Sequence, residues 1–302
     1  MTGQRTGGTT RQDVERPPLD GARPAATPTG GSREHELEAR GLRLGYDGRE
    51  VVSDLSLRVP PGRVTVVVGA NACGKSTLLR GMARLLDPSA GAVLLDGRAI
   101  HDMPTKAVAE VLGILPQSPV SPGGITVADL VGRGRYPHQG WFRRWTREDE
   151  EAVARALAWT ATDGLATRAV DELSGGQRQR VWIAMALAQE TDVLLLDEPT
   201  TFLDLAHQVE VLDLLADLNQ RGTTVVLVLH DLNLACRYAD HIVAMCDGRV
   251  VAEGTPAEVI TAATVREVYG LEAHVVPDPV SGTPMVVPLG RHHCPRPAPP
   301  TS

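Results

Sequence analysis

The chain has 302 residues, of which 42% are apolar and 22% charged, and its formal net charge is -7. This composition is typical of a soluble globular protein, and the negative charge argues against binding duplex DNA through bulk charge. Its four cysteines form no CxxC pair, which favours a reduced, intracellular compartment, and no apolar run approaches the ~18 residues of a membrane-spanning helix.

The two ends of the chain differ in composition from the middle. Residues 1–35 are rich in Gly, Pro, Thr and Arg, and residues 291–302 read "RHHCPRPAPPTS". Neither stretch has enough large apolar residues to bury, so both are expected to be disordered tails. A single domain, residues 36–290, is predicted between them.

Strand patterns and helical patterns alternate along that domain. Its first part is β-rich, and Leu55, Leu57 and Val59 alternate with polar residues, as in a half-buried strand. Further strands are predicted at 63–69, 92–97, 111–117, 192–198, 223–230 and 241–248. The strand at 63–69 leads into a helix expected from about Lys75 to Leu86. The alternation predicts a largely parallel sheet with helices on both faces.

One region departs from this alternation. Between about residues 118 and 188 the sequence shows helical patterns and loops, including "TREDEEAVARALAWT" and "SGGQRQRVWIAMALAQE". The acidic residues that open the first pattern suit a helix N-terminus. We therefore expect a helical subdomain inserted between two core strands.

The stretch "GANACGKST" has the pattern of a phosphate-binding loop. Gly69, Gly74, Lys75 and Ser76 occupy the required positions between a strand and a helix. The glycines let backbone N–H groups curve around phosphate oxygens, and the helix N-terminus adds a positive dipole end. Lys75 is expected to reach the β- and γ-phosphates, and the Ser76 hydroxyl to bind Mg²⁺. The sequence therefore predicts a nucleotide site.

Two acids follow a buried strand in "VLLLDEPT". In this topology a carboxylate at the C-terminal end of a strand lies beside the phosphate loop. Asp197 is suited to holding Mg²⁺, and Glu198 to orienting or deprotonating an attacking water. Four apolar residues lead directly into the pair, which argues against a solvated turn.

A second anion site is predicted at "LSGGQRQR". Ser174, Gly175 and Gly176 open a helix, so hydroxyl and amide donors lie at its N-terminus. One chain does not need two γ-phosphate sites for one nucleotide. The simplest explanation is a dimer, in which this helix completes the pocket of a partner chain.

With these motifs the chain resembles the ATP-binding cassette (ABC) ATPases from about residue 37 to 290. The six family motifs occur in order: "GANACGKST" as Walker A, Gln117 in "ILPQS", "LSGGQRQR" as the signature, "VLLLDEP" as Walker B, Asp204 in "TTFLDLAHQ" and His230 in "VLVLHDLN". The resemblance implies a P-loop NTPase fold, with a RecA-like mostly parallel sheet, an antiparallel β subdomain and an inserted α-helical subdomain.

The resemblance also implies roles at the ATP site. Tyr46 would stack on adenine, His230 would steady the γ-phosphate, and Gln117 would sense Mg²⁺ and the attacking water. The remaining nucleotide-binding candidates are Asn71, Ala72, Cys73 and Thr77 in the phosphate loop, and Ser174, Gly175, Gly176, Gln177 and Asp204 for the partner chain's site.

The phosphate loop departs from the family pattern at two positions. The family usually has Pro where Ala70 stands and Gly where Ala72 stands. If residue 72 must adopt a positive φ, alanine there costs on the order of 1 kcal/mol. Cys73 lies near Lys75 and a helix N-terminus, so its thiol is expected to be easily modified.

Three stretches resemble the ATPases of ferric-siderophore importers, whose close relatives carry haem, vitamin B12 or other metal chelates. These stretches are "VGRGRYPHQ" (131–139), "TTFLDLAHQVEVLDLL" (200–215) and "VVPDPVSGTPMVVP" (275–288). The resemblance implies ATP and Mg²⁺ as cofactors, a homodimer, a polytopic permease and, indirectly, a substrate-binding lipoprotein. It implies a peripheral position at the cytoplasmic face of the membrane and no nucleic acid partner.

Alternatives remain open at this point. The chain could serve an exporter, a haem importer or a vitamin B12 importer, because no motif in the sequence identifies the transported substrate. A soluble ABC ATPase acting on ribosomes or DNA is disfavoured by the single cassette and the absence of a heptad run or CxxC pair. Arg133 and Arg135 either pair with acids on the permease or belong to a solvated basic loop.

Overall fold

The computed structural model describes residues 34–139 and 145–290. The predicted disordered tails therefore lie outside the described residues, except for Glu34 and His35. The His35 ring lies 2.6 Å from a carboxylate oxygen of Asp96 and 3.3 Å from one of Asp192. This last residue of the predicted tail thus contacts the folded domain.

A six-stranded sheet forms the centre of the domain. Its order is β10-β9-β3-β8-β7-β6, and all neighbours pair in parallel except β10, which is antiparallel to β9. The strands are β3 (Val64–Gly69), β6 (Leu112–Leu115), β7 (Val193–Asp197), β8 (Thr224–Val228), β9 (His241–Cys246) and β10 (Arg249–Gly254). Every residue of β3, β7 and β8 is buried, as expected for apolar parallel strands covered on both faces.

A second, antiparallel sheet carries the N-terminal part of the domain. Its order is β2-β1-β4-β5, formed by β1 (Leu37–Tyr46), β2 (Arg49–Val59), β4 (Ala90–Leu95) and β5 (Arg98–Ala99). Leu55, Leu57 and Val59 are buried while their neighbours are exposed, which confirms the alternation expected for this strand. The short β12 (Pro284–Pro288) pairs with β11 (Ala273–Pro277) near the end of the described chain.

Helices pack on both faces of the central sheet and divide the interior into two cores. Along β3, Val66 and Val68 belong to one core and Val67 to the other, because successive side chains of a strand point to opposite faces. The helices are α1 (Lys75–Met82), α2 (Thr105–Val111), α3 (Val127–Gly132), α4 (Arg147–Trp159), α5 (Gly175–Ala188), α6 (Leu205–Gln220), α7 (Leu232–Tyr238), α8 (Pro256–Val259) and α9 (Ala262–Tyr269). None of the described helices is both long and apolar enough to cross a membrane.

The helical region between β6 and β7 is built from α3, α4 and α5, whose buried faces share one core. A capping box starts α4: the Thr146 hydroxyl accepts the Asp149 N–H, and the Asp149 carboxylate accepts the Thr146 N–H. The acidic opening of the pattern therefore does mark the helix N-terminus. At α1 the prediction was too long, because the helix ends at Met82 and Arg84 adopts φ 60 just beyond it.

Arg135, in the segment "GRGRYPH", is neither solvated nor available to pair with acids on a permease. Its side chain is 3% exposed and donates 2.9 Å hydrogen bonds to the carboxylates of Asp149 and Glu190 and to the Ala188 carbonyl. Arg135 thus joins its own 3-10 turn to α4 and to the end of α5. Both alternatives offered for Arg135 were wrong, because its partners Asp149 and Glu190 are 14 and 55 residues away along the chain.

We predict that Arg135→Met lowers the free energy of unfolding by about 3–5 kcal/mol, since it leaves Asp149 buried and unpaired. Arg147→Met on α4 is the matched control, because the Arg147 side chain is 90% exposed in its pair with Glu151. The control should cost less than about 1 kcal/mol. Urea unfolding measures both values, and equal losses in the two variants would contradict the role given to Arg135.

Candidate active site

An open cleft lies between the phosphate loop and the edge of the antiparallel sheet. Its phosphate-loop wall consists of Asn71, Ala72, Gly74, Lys75, Ser76 and Thr77, and strand ends contribute Gln117, Glu198 and His230. Tyr46, Arg49, Glu50, Val51, Ser53, Asp247 and Gly248 line its other end. Most of the residues predicted for one chain's ATP site therefore share one cavity.

The phosphate loop follows β3 and starts α1, as predicted. The Lys75 ammonium donates 2.9 Å hydrogen bonds to the carbonyls of Gly69 and Ala70, so the buried lysine is held inside the turn. Gly74 has φ 105, a backbone region that favours glycine. Ala72 adopts φ 62, so the alanine does have the positive φ that costs on the order of 1 kcal/mol at a residue with a side chain.

Gly69 and Cys73 do not line the cleft. A Cβ atom on Gly69 would lie 2.4 Å from the Met245 carbonyl oxygen, so this glycine is needed for packing against β9. The Cys73 side chain is only 6% exposed. Burial raises the pKa of its thiol, although the Lys75 charge opposes the shift. Both observations argue against the expectation that Cys73 is easily modified.

Ser76 and Asp197 form a pair suited to a divalent cation. The Ser76 hydroxyl donates a 2.8 Å hydrogen bond to Asp197 Oδ1, while Asp197 Oδ2 is buried with no hydrogen-bond partner among the described residues. Burial raises the pKa of Asp197, with Ser76 opposing the shift and the Glu198 charge adding to it. A hydroxyl and an under-satisfied carboxylate are the oxygen ligands that Mg²⁺ prefers, so the residues fit the ion.

Glu198 brings the predicted catalytic residues together. Its Oε1 lies 2.6 Å from His230 Nε2, and its Oε2 accepts hydrogen bonds from Gln117 at 2.7 Å and Thr201 at 3.1 Å. Gln117 thus contacts the predicted base rather than the Ser76–Asp197 pair. Glu198 also has φ 54, so the backbone is strained where its side chain is aimed into the cleft.

Several residues in or beside the cleft, among them Thr201, Arg49 and Asp247, were not predicted from the sequence. Thr201 lies one turn after Glu198, and only its proximity in "EPTT" hinted at a contact. Tyr46, which was predicted, lies at the other end of the cleft; it is 40% exposed and its hydroxyl accepts a 3.3 Å hydrogen bond from Arg80 of α1. Arg49 and Asp247 come from hairpin turns that carry no nucleotide-binding pattern.

The signature residues lie outside the cleft of their own chain. Ser174 caps α5: its hydroxyl accepts the Gln177 N–H, and the Gln177 side chain accepts the Ser174 N–H. Ser174 and Gly175 are exposed, and so is Asp204, whose carboxylate caps α6 through the His207 N–H. The structure thus does not bring Ser174, Gly175, Gly176, Gln177 or Asp204 to the nucleotide cleft of the same chain.

Comparison with known proteins identifies the family. The family model described as ABC transporter matches residues 52–201. A probable siderophore transport system ATP-binding protein of Bacillus subtilis (strain 168) is 58% identical over 254 residues, covering 84% of this chain and 92% of that protein. The chain belongs to the ABC transporter ATP-binding proteins. Proteins of this family hydrolyse ATP, so this ABC protein is an ATPase.

Two further comparisons agree with the assignment. The ferric enterobactin transport ATP-binding protein of Escherichia coli (strain K12) is 53% identical over 256 residues, covering 84% of this chain and 94% of that protein. A solved ABC transporter assigned to the metal-chelate type, in an inward-facing conformation, has a TM-score of 0.72 at 30% identity. It covers 85% of this chain and 98% of its own. The predicted fold class is therefore confirmed.

We predict that iodoacetamide modifies Cys73 slowly in the folded ABC protein. The thiol is buried and its raised pKa lowers the thiolate fraction at pH 8, so the rate should be at least about tenfold below that in the urea-unfolded chain. The rate should rise as the pH increases, because more thiolate forms. Peptide-resolved mass spectrometry follows each cysteine, and equal rates in the folded and unfolded chains would contradict the prediction.

Proposed function

We propose that this chain is the ATP-hydrolysing subunit of an importer that carries a ferric siderophore through a separate membrane permease. The observation that supports the catalytic part best is the meeting of Glu198, His230 and Gln117 beside the phosphate loop. The cargo is supported by the siderophore and ferric enterobactin transport relatives, which are more than half identical to this chain.

In the proposed reaction Glu198 orients and deprotonates the water that attacks the γ-phosphate. His230 and Gln117 hold the two carboxylate oxygens of Glu198, and so fix its direction towards the cleft. Lys75 is the cation nearest the loop backbone, and binding a phosphate would exchange its bonds to the Gly69 and Ala70 carbonyls for phosphate oxygens. Tyr46 offers a ring to the adenine at the far end of the cleft.

Ser76 and Asp197 would hold Mg²⁺, which supplies positive charge that neutralises the phosphate oxygens. Gln117 is proposed to sense Mg²⁺ and the attacking water, and it already contacts the proposed base Glu198. The residues that cradle the nucleotide are proposed to be Gly69, Asn71, Ala72, Cys73, Gly74, Lys75, Ser76 and Thr77. Since the side chain of Cys73 is buried and Gly69 packs on β9, these two act through the shape of the loop rather than by lining the cleft.

The second half of the site is proposed to come from another copy of the chain. ABC ATPase subunits of importers work as dimers with a membrane permease. Ser174, Gly175 and the N-terminus of α5 are exposed and lie away from the cleft of their own chain, so they are available to a partner's nucleotide. We assign Gly176, Gln177 and Asp204 to the same partner-facing surface.

The permease is proposed to dock beside Gln117 and the helical subdomain, about residues 118–188. Val120 lies three residues after Gln117 and is 91% exposed, and Tyr136 and Trp145 of the helical region are 52% and 50% exposed. Arg135 takes no part, because its charge is satisfied inside the protein. In the proposed arrangement the chain lies at the cytoplasmic face of the membrane, and a substrate-binding lipoprotein acts on the permease from the other side.

We predict that Glu198→Gln lowers ATP turnover by about 100- to 10,000-fold, because the amide keeps the shape of the carboxylate but cannot accept a proton. ATP should then stabilise a dimer, which size-exclusion chromatography detects. Glu210→Gln on the exposed side of α6 is the control and should leave turnover unchanged. Undiminished turnover in Glu198→Gln would contradict the proposal that Glu198 is the general base.

We predict that deleting the gene in its host lowers ferric-siderophore uptake and growth under iron starvation. The wild-type gene should restore both, and the Glu198→Gln variant should restore neither, because import needs hydrolysis. Radiolabelled iron uptake measures the effect. Normal uptake in the deletion strain, with no second such ATPase expressed, would contradict the siderophore proposal, and loss of haem or vitamin B12 uptake instead would reassign the cargo.

A further inference from the structure

The tripeptide Asp-Gly-Arg occurs at three hairpin turns of this chain. Asp47–Gly48 joins β1 to β2, Asp96–Gly97 joins β4 to β5, and Asp247–Gly248 joins β9 to β10. The backbone is nearly the same each time: φ is 48, 53 and 46 at the aspartates, and 79, 76 and 76 at the glycines. Two successive positive φ values are what a two-residue hairpin with a type I′ turn requires.

The surroundings of these turns differ sharply. A Cβ atom added to Gly48 or Gly97 would meet nothing within 4 Å, whereas one added to Gly248 would lie 2.2 Å from the Val51 carbonyl oxygen. The positive φ favours glycine in all three turns. Of the three glycines, Gly248 alone has a neighbouring strand in the space that a side chain would occupy. Gly248 therefore permits a close backbone approach as well as a turn.

The backbone of Gly248 is bonded on two sides. Its carbonyl accepts a 3.0 Å hydrogen bond from the Ser53 N–H of β2, and its own N–H donates a 3.0 Å hydrogen bond to the Cys73 carbonyl of the phosphate loop. Gly74 is packed into the same place, since a Cβ there would lie 3.2 Å from the Val51 oxygen and 3.6 Å from Gly248 Cα. Gly248 thus lies between β2 and the phosphate loop and is hydrogen-bonded to both.

The phosphate loop and β2, the two neighbours of Gly248, contribute residues to opposite ends of the nucleotide cleft. The loop presents the phosphate-binding residues, and the β1–β2 hairpin presents Tyr46 and Arg49 at the other end. Tyr46 and Arg49 pair directly across the hairpin, and Val51 follows two residues later on the same strand. A displacement of Val51 would therefore be transmitted along β2 to the residues that face the base.

We propose that Gly248 is a positioning residue that sets the spacing between the nucleobase end and the phosphate end of the cleft. The inference rests on the proposed ATP site and adds a role for a residue outside its motifs. A side chain at Gly248 pushes β2 away from the loop, so binding of the base weakens while the phosphate cradle stays formed. Asp247, which lines the cleft from the same turn, moves with it.

The test compares Gly248→Ala with Gly97→Ala, because both glycines have φ 76 and lie in the same tripeptide, but Gly97 has open space. Calorimetry on the full chain with magnesium measures the Kd of ATP and of inorganic tripolyphosphate, which has no base or ribose. Gly248→Ala should raise the Kd of ATP about tenfold or more, as expected for loss of a stacked ring and its contacts. The Kd of tripolyphosphate should stay within about twofold of wild type, and Gly97→Ala should change neither value.

Gly248→Asn and Gly97→Asn repeat the comparison with a residue that tolerates positive φ, in case the alanine variant does not fold. Unchanged ATP affinity in both Gly248 variants would overturn the inference while leaving the ATP site intact. Equal losses for ATP and tripolyphosphate would also overturn it, because they would show that the turn acts on the phosphate loop alone. A wild-type chain that binds neither ligand would overturn the proposed ATP site itself.

Discussion

The parallel pairing of β3, β8, β7 and β6 is the constraint on which the site depends. Parallel strands run in one direction, so their carboxyl ends reach the same edge of the sheet. The phosphate loop leaves β3 at that edge, Glu198 follows β7, and His230 and Gln117 each lie two residues beyond the ends of β8 and β6. Residues far apart in the sequence therefore come within hydrogen-bond distance without any long loop. A register slip of one residue would turn each strand's side chains to the other face and separate them.

The same edge holds features that a protein selected for stability alone would avoid. Ala72 and Glu198 both have positive φ, and a buried oxygen of Asp197 lacks a hydrogen-bond partner among the described residues. Strained residues of this kind cost of order 1–3 kcal/mol each, and a buried unsatisfied oxygen costs a similar amount. The two cores on either side of the sheet offset these costs. Positive φ also occurs at described residues away from this edge, such as Arg84 and Ala161, but the unpartnered oxygen of Asp197 lies where a bound cation would satisfy it.

Much of this arrangement could be predicted from the sequence, because the signals are local. The all-apolar strands, the phosphate loop between β3 and α1, and the acids after β7 each occupy a few consecutive residues. The burial of Arg135 and Cys73 could not be predicted, since it depends on residues distant in the sequence: Glu190 for Arg135, and for Cys73 a core that includes Met245 of β9. The three Asp-Gly-Arg turns make the same point: their sequences and backbones are alike, yet only the packing shows that Gly248 touches the phosphate loop.

The cleft and the N-terminus of α5 differ in the contacts that hold their residues in place. Glu198 is held by His230, Gln117 and Thr201 of its own chain, so the proposed base is positioned before any partner arrives. The N-terminus of α5 is capped by its own Ser174 and Gln177, and it faces solvent. In the proposed dimer, hydrolysis would therefore await the second chain's donors, although the base is already in place. Since α5 also forms the core of the helical region where the permease is proposed to dock, movement of the permease would move these donors directly. In this proposal, the separation of base and signature would make hydrolysis conditional on transport without altering the carboxylate of Glu198.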